Sequence, residues 1–246
     1  MVSEQDRNNN KVPEVPEAPE VPDLEKPGKK KVKKIHWILI YWLGFFCVFI
    51  LLLLYKPADF KVPAAIEGKQ VSRYLTHVLY PKLYNGAQSG KPFDLTVLQE
   101  GINDIVVRNN WPIERDGVKY LTPEVFFKSG QIELVGIVVT RGVRLIVTIA
   151  GRPVIDKKGL LNLNVVKIKI GAMSVTILAK IIAKRMYKHQ LATVDVTPED
   201  IRTKIAGSLL SNEPFEPIFP INNRKVRIKA VDIVEGELKL QFVGAS

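Results

Sequence analysis

The chain has 246 residues and a formal net charge of +11 at pH 7, from 36 Lys and Arg against 25 Asp and Glu. Its single cysteine, Cys47, excludes an intrachain disulfide; we interpret it as a buried thiol, with a bridge between two copies as the alternative. The three histidines, His36, His77 and His189, lie too far apart in sequence to have the spacing of a metal site, so we expect no metal and no cofactor.

Residues 1–34 predict a disordered tail. Within them, the segment VPEVPEAPEVP places Pro13, Pro16, Pro19 and Pro22 three residues apart, which is the period of the left-handed polyproline helix. The low hydrophobicity of the segment excludes a packed core. We interpret this repeat as a solvated spacer, and the alternative is a ligand for a cytosolic partner.

Residues 35–55 predict a transmembrane helix, because they contain no Asp, Glu, Lys or Arg. At a rise of about 1.5 Å per residue, such a helix is roughly 30 Å long, which is the thickness of the hydrocarbon layer of a bilayer. Aromatic side chains mark both interfaces, with Trp37, Tyr41 and Trp42 near one end and Tyr55 at the other.

The charges beside this helix predict its orientation. Lysines crowd its N-terminal side at positions 29, 30, 31, 33 and 34, whereas Lys56 and Lys61 are sparse on the other side. By the positive-inside rule, the N-terminus is cytosolic and the C-terminal domain lies outside the plasma (inner) membrane. The apolar run is longer than that of a signal peptide and lacks a small-residue cleavage site, so we expect an uncleaved signal anchor. Membrane lipid is then an expected partner and nucleic acid is not, although the basic charge also fits an ordinary soluble surface.

After a linker at 56–68, residues 69–246 predict one extracytoplasmic domain. Apolar residues at helical spacing predict a helix over 71–79, ended by Pro81. Thr96 followed by Gln99 fits a capping box and predicts the start of a second helix. Two further helices are predicted, over about 175–188 and 198–210.

Alternating apolar residues predict strands in the centre and at the C-terminus of this domain. The alternation changes phase between Val165 and Val166, and again between Ile228 and Val231. Because the side chains of a strand alternate with period two, each change predicts a β-bulge or a sharp twist. Together with the helices, these strands predict an α+β fold in which a curved antiparallel sheet is packed with helices.

The helix predicted over 175–188 combines apolar and basic residues. Its apolar stripe consists of Ile177, Leu178, Ile181, Ile182 and Met186. On the opposite side we expect four candidates for contact with a membrane surface, Lys180, Lys184, Arg185 and Lys188. A helix packed on the sheet with its cations in water is the simpler interpretation; a helix resting on anionic lipid is the alternative, and the two are compatible.

No enzyme motif is present. The chain has no P-loop, no dinucleotide-binding turn and no G-x-S-x-G elbow. Glu100 and Asp104 lie four residues apart on the predicted second helix, but without a nearby His they fit a solvated helix face better than an acid and base pair. We therefore predict that the protein is not an enzyme.

Four segments of the predicted domain resemble a known family. They read GIVVTRGV at 136–143, GRPVID at 151–156, GLLNL at 159–163 and VKIKIG at 166–171. In their order, and in the helices and strands around them over residues 94–244, the chain resembles the membrane-anchored YpmS-like domains and the mycobacterial LmeA-like lipoproteins.

This resemblance implies an extracytoplasmic domain that shelters acyl chains between a curved sheet and helices, and that serves lipid binding or envelope maintenance. A non-enzymatic scaffold or interaction protein of an envelope complex is the alternative, with envelope proteins as its partners. For a groove of this kind we expect a lining of Val143, Leu145, Val147, Leu161, Leu163, Ile177, Ile181 and Leu240. Each of these residues fits an ordinary core equally well, but apolar residues on both strand faces, as at Ile146 and Val166, favour the groove.

Overall fold

The computed structural model describes residues 30–55, 71–193 and 200–245. The predicted linker at 56–68 and most of the predicted tail lie outside these residues. By its contacts the chain divides into two units, residues 1–45 and residues 46–246.

Helix α1, Lys30–Leu54, contains the transmembrane candidate. Of the described residues, only His36–Leu54 form a helix that is long and apolar enough to cross a membrane. None of this span is buried inside the protein, and at about 1.5 Å per residue its 19 residues extend roughly 28 Å. One such helix near the N-terminus fits a single-pass membrane protein.

The remaining described residues form an α+β domain, which confirms the predicted class. A π-helical turn, Leu75–Leu79, leads directly into the first helix of the domain. The helices are α2, Tyr80–Ser89; α3, Gln99–Val107; α4, Thr176–Thr193; and α5, Ile201–Ser211. In chain order the strands are β1, Phe93–Leu98; β2, Ile113–Arg115; β3, Val118–Tyr120; β4, Glu124–Lys128; β5, Gln131–Thr140; β6, Val143–Ile155; β7, Leu161–Ile170; β8, Met173–Ser174; β9, Ile218–Ile221; β10, Arg224–Val234; and β11, Glu237–Ala245.

The strands divide between two antiparallel sheets. A small sheet has the order β1-β11-β10-β9, and a large sheet has the order β2-β3-β5-β6-β7-β8. Strand β4 also pairs with β5, so β3 and β4 lie one after the other along the same edge of β5. The long strands β5, β6 and β7 form the centre of the large sheet.

Both predicted β-bulges are confirmed. In the β6 and β7 pair, Ala150 faces Lys167 and Gly151 faces Val165, so that Val166 has no partner. In the β10 and β11 pair, the register shifts in the same way between Ile228 and Ala230. Each extra residue turns the following side chains to the other face, which is why the apolar alternation changes phase at these places.

The main core lies between the small sheet, helices α2 and α3, and the first part of the large sheet. Its buried residues are Ala87, Leu95, Val97, Val125, Phe127, Val226, Ile228, Ile233 and Phe242. Two backbone hydrogen bonds join the sheets here: Gly130 N–H donates to the Ile233 carbonyl at 2.9 Å, and Gly236 N–H donates to the Phe127 carbonyl at 3.0 Å. We call the nine buried residues named above the main core.

The first two helices differ from their predicted bounds. The first does not end before Pro81, because this proline lies in the first turn of α2, where the missing N–H is not needed. The second begins at Gln99 and not at Thr96, which belongs to β1. The predicted capping box is therefore wrong: the Gln99 side-chain oxygen accepts a hydrogen bond from the Phe127 backbone N–H at 2.8 Å, a tertiary contact between α3 and β4.

Candidate functional site

One face of the large sheet carries a continuous set of apolar side chains. Cross-strand pairing places these residues on the same face of β5, β6 and β7: Leu134, Val138, Leu145, Val147, Ile149, Ile168 and Ile170. The main core covers one end of this face through Val125, which pairs with Leu134, and Phe127, which pairs with Ile132. Beyond that end, small residues and half-buried aliphatic side chains remain without a covering layer of main-core residues. We call this surface the apolar face.

A cavity of about 420 Å³ lies on the apolar face, within the range of roughly 300–1,000 Å³ that is usual for small-molecule sites. Its floor consists of Leu134, Gly136, Val138, Val147 and Ile149, and its wall consists of Trp111, Ile113 and Tyr120. Gly136 faces Val147 across the strands, so β5 contributes no side chain to the middle of the floor. We call this cavity the apolar groove.

The indole of Trp111 is held in place by the end of α3. Its Nε1–H donates a hydrogen bond to the Val106 carbonyl at 2.8 Å. Because the only polar atom of the ring is bonded to the protein, the apolar part of the ring is available to line the groove.

The β2 and β3 hairpin provides the rest of the wall. Asp116 and Gly117 form its turn with φ angles of 52° and 72°, as a two-residue hairpin requires. Ile113 then pairs with Tyr120, and Tyr120 pairs with Val138 on the floor. Arg115 also borders the groove, and it is the one charged residue in the lining among those that the structure describes. The wall thus follows from one tight turn and from the register of β3 on β5.

Sequence reasoning missed this wall. The segment IERDGVKY at 113–120 contains an Asp-Gly turn between short alternating runs, which is a hairpin signal that could have placed Ile113 next to Tyr120. No local pattern shows that Tyr120 pairs with Val138, because that pairing joins segments separated by a complete strand.

Of the predicted groove residues, those on β6 come together. Val147 lines the apolar groove. Leu145 pairs with Val138, a floor residue, and Val143 is the next residue on the same face, 45% exposed. These side chains extend the apolar surface toward one end of β6.

The other predicted groove residues lie elsewhere. Leu161 is buried and forms an isolated bridge with Phe215, and Leu163 is half-buried on β7 opposite Pro153. Leu240, on the small sheet, packs against the main core. Ile177 and Ile181 lie on α4 and are largely exposed.

Helix α4 is joined to the edge of the large sheet at its N-terminal end, and its half-buried residues are small. At its start, the Thr176 hydroxyl accepts the Ile168 N–H at 2.8 Å, which joins the helix to β7. Ala179 and Ala183 are half-buried, whereas the larger aliphatic residues are exposed. The exposed fractions are 79% for Ile177, 60% for Leu178, 57% for Ile181 and 49% for Ile182. We call these four residues the α4 patch.

The predicted separation of apolar and basic sides on α4 is wrong. Lys180, Lys184 and Arg185 are exposed, as the α4 patch is. Arg185 follows Ile181 by four residues and Ile182 by three, so it shares their side of the helix. The side chains of Met186 and Lys188 lie outside the described part of the chain. The helix therefore presents aliphatic and basic residues together, because its inner side is occupied by alanines.

The opposite face of the large sheet carries a group of charged residues. The Lys128 ammonium lies 2.7 Å from a Glu133 carboxylate oxygen. Across the sheet, Lys167 lies beside Lys169, and its hydrogen bond and charge, with burial, lower the pKa of the Lys169 ammonium. On β4 of this face, burial raises the pKa of Glu124. The apolar groove and this charged group thus lie on different faces of the large sheet, and the face with the charged group also carries a second buried apolar cluster, Val135, Ile137 and Ile146.

The candidate acid and base residues do not act as a pair in this geometry. One Asp104 oxygen accepts a hydrogen bond from the Ser72 hydroxyl, and the other accepts one from Arg108 Nε at 2.8 Å. Both bonds lower the pKa of Asp104. Glu100 is exposed on the same helix. Asp104 connects the start of the domain to α3, which is a structural role.

The sequence matches no known family model, and no curated protein matches it.

Proposed function

We propose that the protein is a membrane-anchored lipid-binding protein of the cell envelope, which holds an acyl chain in the apolar groove of its outer domain. The observation that supports this most is the groove itself, a cavity of about 420 Å³ with an apolar floor and an aromatic wall. The domain also has a separate main core of buried side chains. The groove is therefore additional to the apolar surface that folding buries.

The chemistry of the groove suits an acyl chain better than a polar ligand. Apart from Arg115, its lining side chains are aliphatic or aromatic, and Trp111 has its Nε1–H bonded to the protein. Transfer of a methylene from water to such a surface gains about 0.8 kcal/mol, so about eight buried methylenes would gain roughly 6 kcal/mol before ordering costs. Arg115 borders the groove and suits the carboxylate or phosphate at the end of a lipid.

The location is part of the same proposal. Lysines at positions 29, 30, 31, 33 and 34 precede the transmembrane helix, and by the positive-inside rule the groove-bearing domain is then outside the inner membrane. The YpmS-like and LmeA-like resemblance implies the same location and the same class of ligand. No catalytic role is proposed for any residue.

A photoreactive fatty acid tests this function in the full-length chain embedded in nanodiscs. After irradiation, we expect the label on peptides that contain the wall and the floor, residues 111–120 and 134–149. The variant Gly136→Leu fills the middle of the floor and should lower this labelling at least about fivefold. A Cβ at Gly136 meets only Pro123, whose Cβ lies at 3.6 Å and whose Cα lies at 3.9 Å, and these are ordinary contact distances, so we expect the variant to fold.

Gly244→Leu is the matched control, because a Cβ at Gly244 has nothing within 4 Å. It should label as the wild type does. Labelling that is spread over the chain, or that is unchanged in a folded Gly136→Leu variant, would contradict lipid binding in the groove and would favour the scaffold alternative.

A further inference from the structure

Among the described residues of the domain, the α4 patch is the most exposed group of neighbouring large aliphatic side chains. Ile177 is 79% exposed and Leu178 is 60% exposed, and Ile181 and Ile182 continue the patch one turn later. A contiguous group of large aliphatic side chains on a folded domain marks a surface that another apolar phase or molecule covers.

The patch is exposed even though α4 is attached to the domain. The Thr176 hydroxyl is hydrogen-bonded to the backbone of Ile168, and Ala179 and Ala183 are the half-buried side of the helix. Since the small residues face the domain, the large ones face away from it. The sequence indicated that α4 packs on the sheet, and it does. This packing leaves the aliphatic residues of the α4 patch uncovered.

The charges on α4 itself are of one sign. Lys180, Lys184 and Arg185 are exposed next to it, and Thr176–Thr193 contain no Asp or Glu. A helix surface with exposed aliphatic and basic side chains complements a partner surface that is anionic at its exterior and apolar beneath. An anionic bilayer has both properties: aliphatic side chains enter the boundary of the acyl region, and the long stems of Lys and Arg let their charges reach the headgroups.

The same chain keeps such a bilayer within reach, because it carries the transmembrane candidate His36–Leu54. We propose that the N-terminal half of α4 docks on the anionic interface of the membrane in which the chain is anchored, with the α4 patch inserted and Lys180, Lys184 and Arg185 at the headgroups. The docked helix is a second membrane contact of the protein, separate from the transmembrane helix.

Docking has a consequence for the apolar groove. Ile168, which holds the start of α4, pairs with Ile149 on the groove floor. The docked helix is thus bonded to β7, the strand next to the groove floor on β6, so docking also brings the groove toward the bilayer from which an acyl chain would come. This consequence rests on the proposed lipid binding, whereas the docking itself does not.

Fluorescence quenching tests the docking in the full-length chain, incorporated as one copy per nanodisc so that a second copy cannot cover the patch. In a Cys47→Ser background, an environment-sensitive fluorophore is attached at Ile181→Cys. The matched control carries the same fluorophore at Leu209→Cys on α5, where the native side chain is also apolar and exposed. Lipids brominated in their acyl chains serve as the quencher.

In nanodiscs with about 30% phosphatidylglycerol, we expect quenching at position 181 to exceed that at position 209 by at least about twofold. The variant Lys180→Glu, Lys184→Glu, Arg185→Glu should abolish this difference, and Lys180→Arg, Lys184→Arg should keep it. Equal quenching at the two positions, or a difference that survives the charge reversal, would overturn the proposal. Fatty-acid labelling of the groove is a separate measurement, so either proposal can fail without the other.

Discussion

Asp104 shows how a single carboxylate is used in this domain. Its two oxygens bond to Ser72, which precedes the first helical turn, and to Arg108, one turn further along α3. The hydroxyl of Ser72 also accepts the Leu75 N–H at 3.2 Å, so the start of the helical segment and the end of α3 share one small network. The charge is needed for this network, because a neutral side chain would accept these bonds more weakly.

Replacing Asp104 by Asn should lower the free energy of unfolding by about 1 kcal/mol at pH 7. Because the pKa of Asp104 lies below its ordinary value of 3.8 in the folded state, the stabilisation is complete above about pH 4 and is lost as the pH falls through the folded-state pKa. Denaturant unfolding of the full-length chain at several pH values measures this. The exposed Glu100→Gln serves as the control, and a difference between wild type and Asp104→Asn that does not shrink in acid would contradict the assignment.

Helix α3 depends on a glycine for its position. A Cβ at Gly101 would overlap the ring of Tyr74, whose hydroxyl accepts the Leu98 N–H at 2.8 Å where β1 meets α3. The helix can therefore approach the preceding helical segment only because Gly101 has no side chain. The contact is part of the packing that carries Trp111, through Val106, to the groove.

Gly101→Ala should destabilise the domain despite the better helix propensity of alanine. The propensity gain is about 1 kcal/mol, whereas overpacking against a fixed ring costs about 1–3 kcal/mol, so we expect a net loss. Thermal unfolding of the full-length chain measures the sign. The control Gly244→Ala, which has open space around its new Cβ, should change stability by less than about 0.5 kcal/mol. A stabilised Gly101→Ala variant would show that the ring of Tyr74 can move away.

At the scale of the whole molecule, the large sheet places the apolar groove and the charged group on different faces. The main core occupies one end of its apolar face, the apolar groove occupies the open part, and the charged group of Lys128, Glu133, Lys167 and Lys169 lies on the other face. The proposed function needs this domain on the outer side of the membrane, and the charges that flank the transmembrane candidate bear on its orientation.

Changing the lysines at positions 29, 30, 31, 33 and 34 to glutamine should therefore randomise the orientation of the chain. Protease added to spheroplasts should digest the domain of the wild-type protein and leave a large part of the variant protected. Changing Lys56 and Lys61 to glutamine is the control and should preserve full digestion. A wild-type domain that is protected in intact spheroplasts would contradict the proposed location.

Local pattern determined several features of the protein. The absence of charge over residues 35–55 predicts the transmembrane helix, because desolvation of a charge in hydrocarbon is costly wherever the chain folds. The phase changes at Val166 and after Ile228 predict both bulges, because strand parity is a property of neighbouring residues. The α+β class follows from the same local signals.

Tertiary structure alone decided the site. The wall of the groove exists because Tyr120 pairs with Val138, and the α4 patch is exposed because Ala179 and Ala183 are the residues that turn inward. Leu240 and Leu161 had the same apolar pattern as Val147, yet they entered buried contacts. Periodicity shows which side chains share a face of a helix or strand. What packs against that face depends on pairings between distant segments of the chain. Those pairings determine which apolar residues form a core and which form a groove.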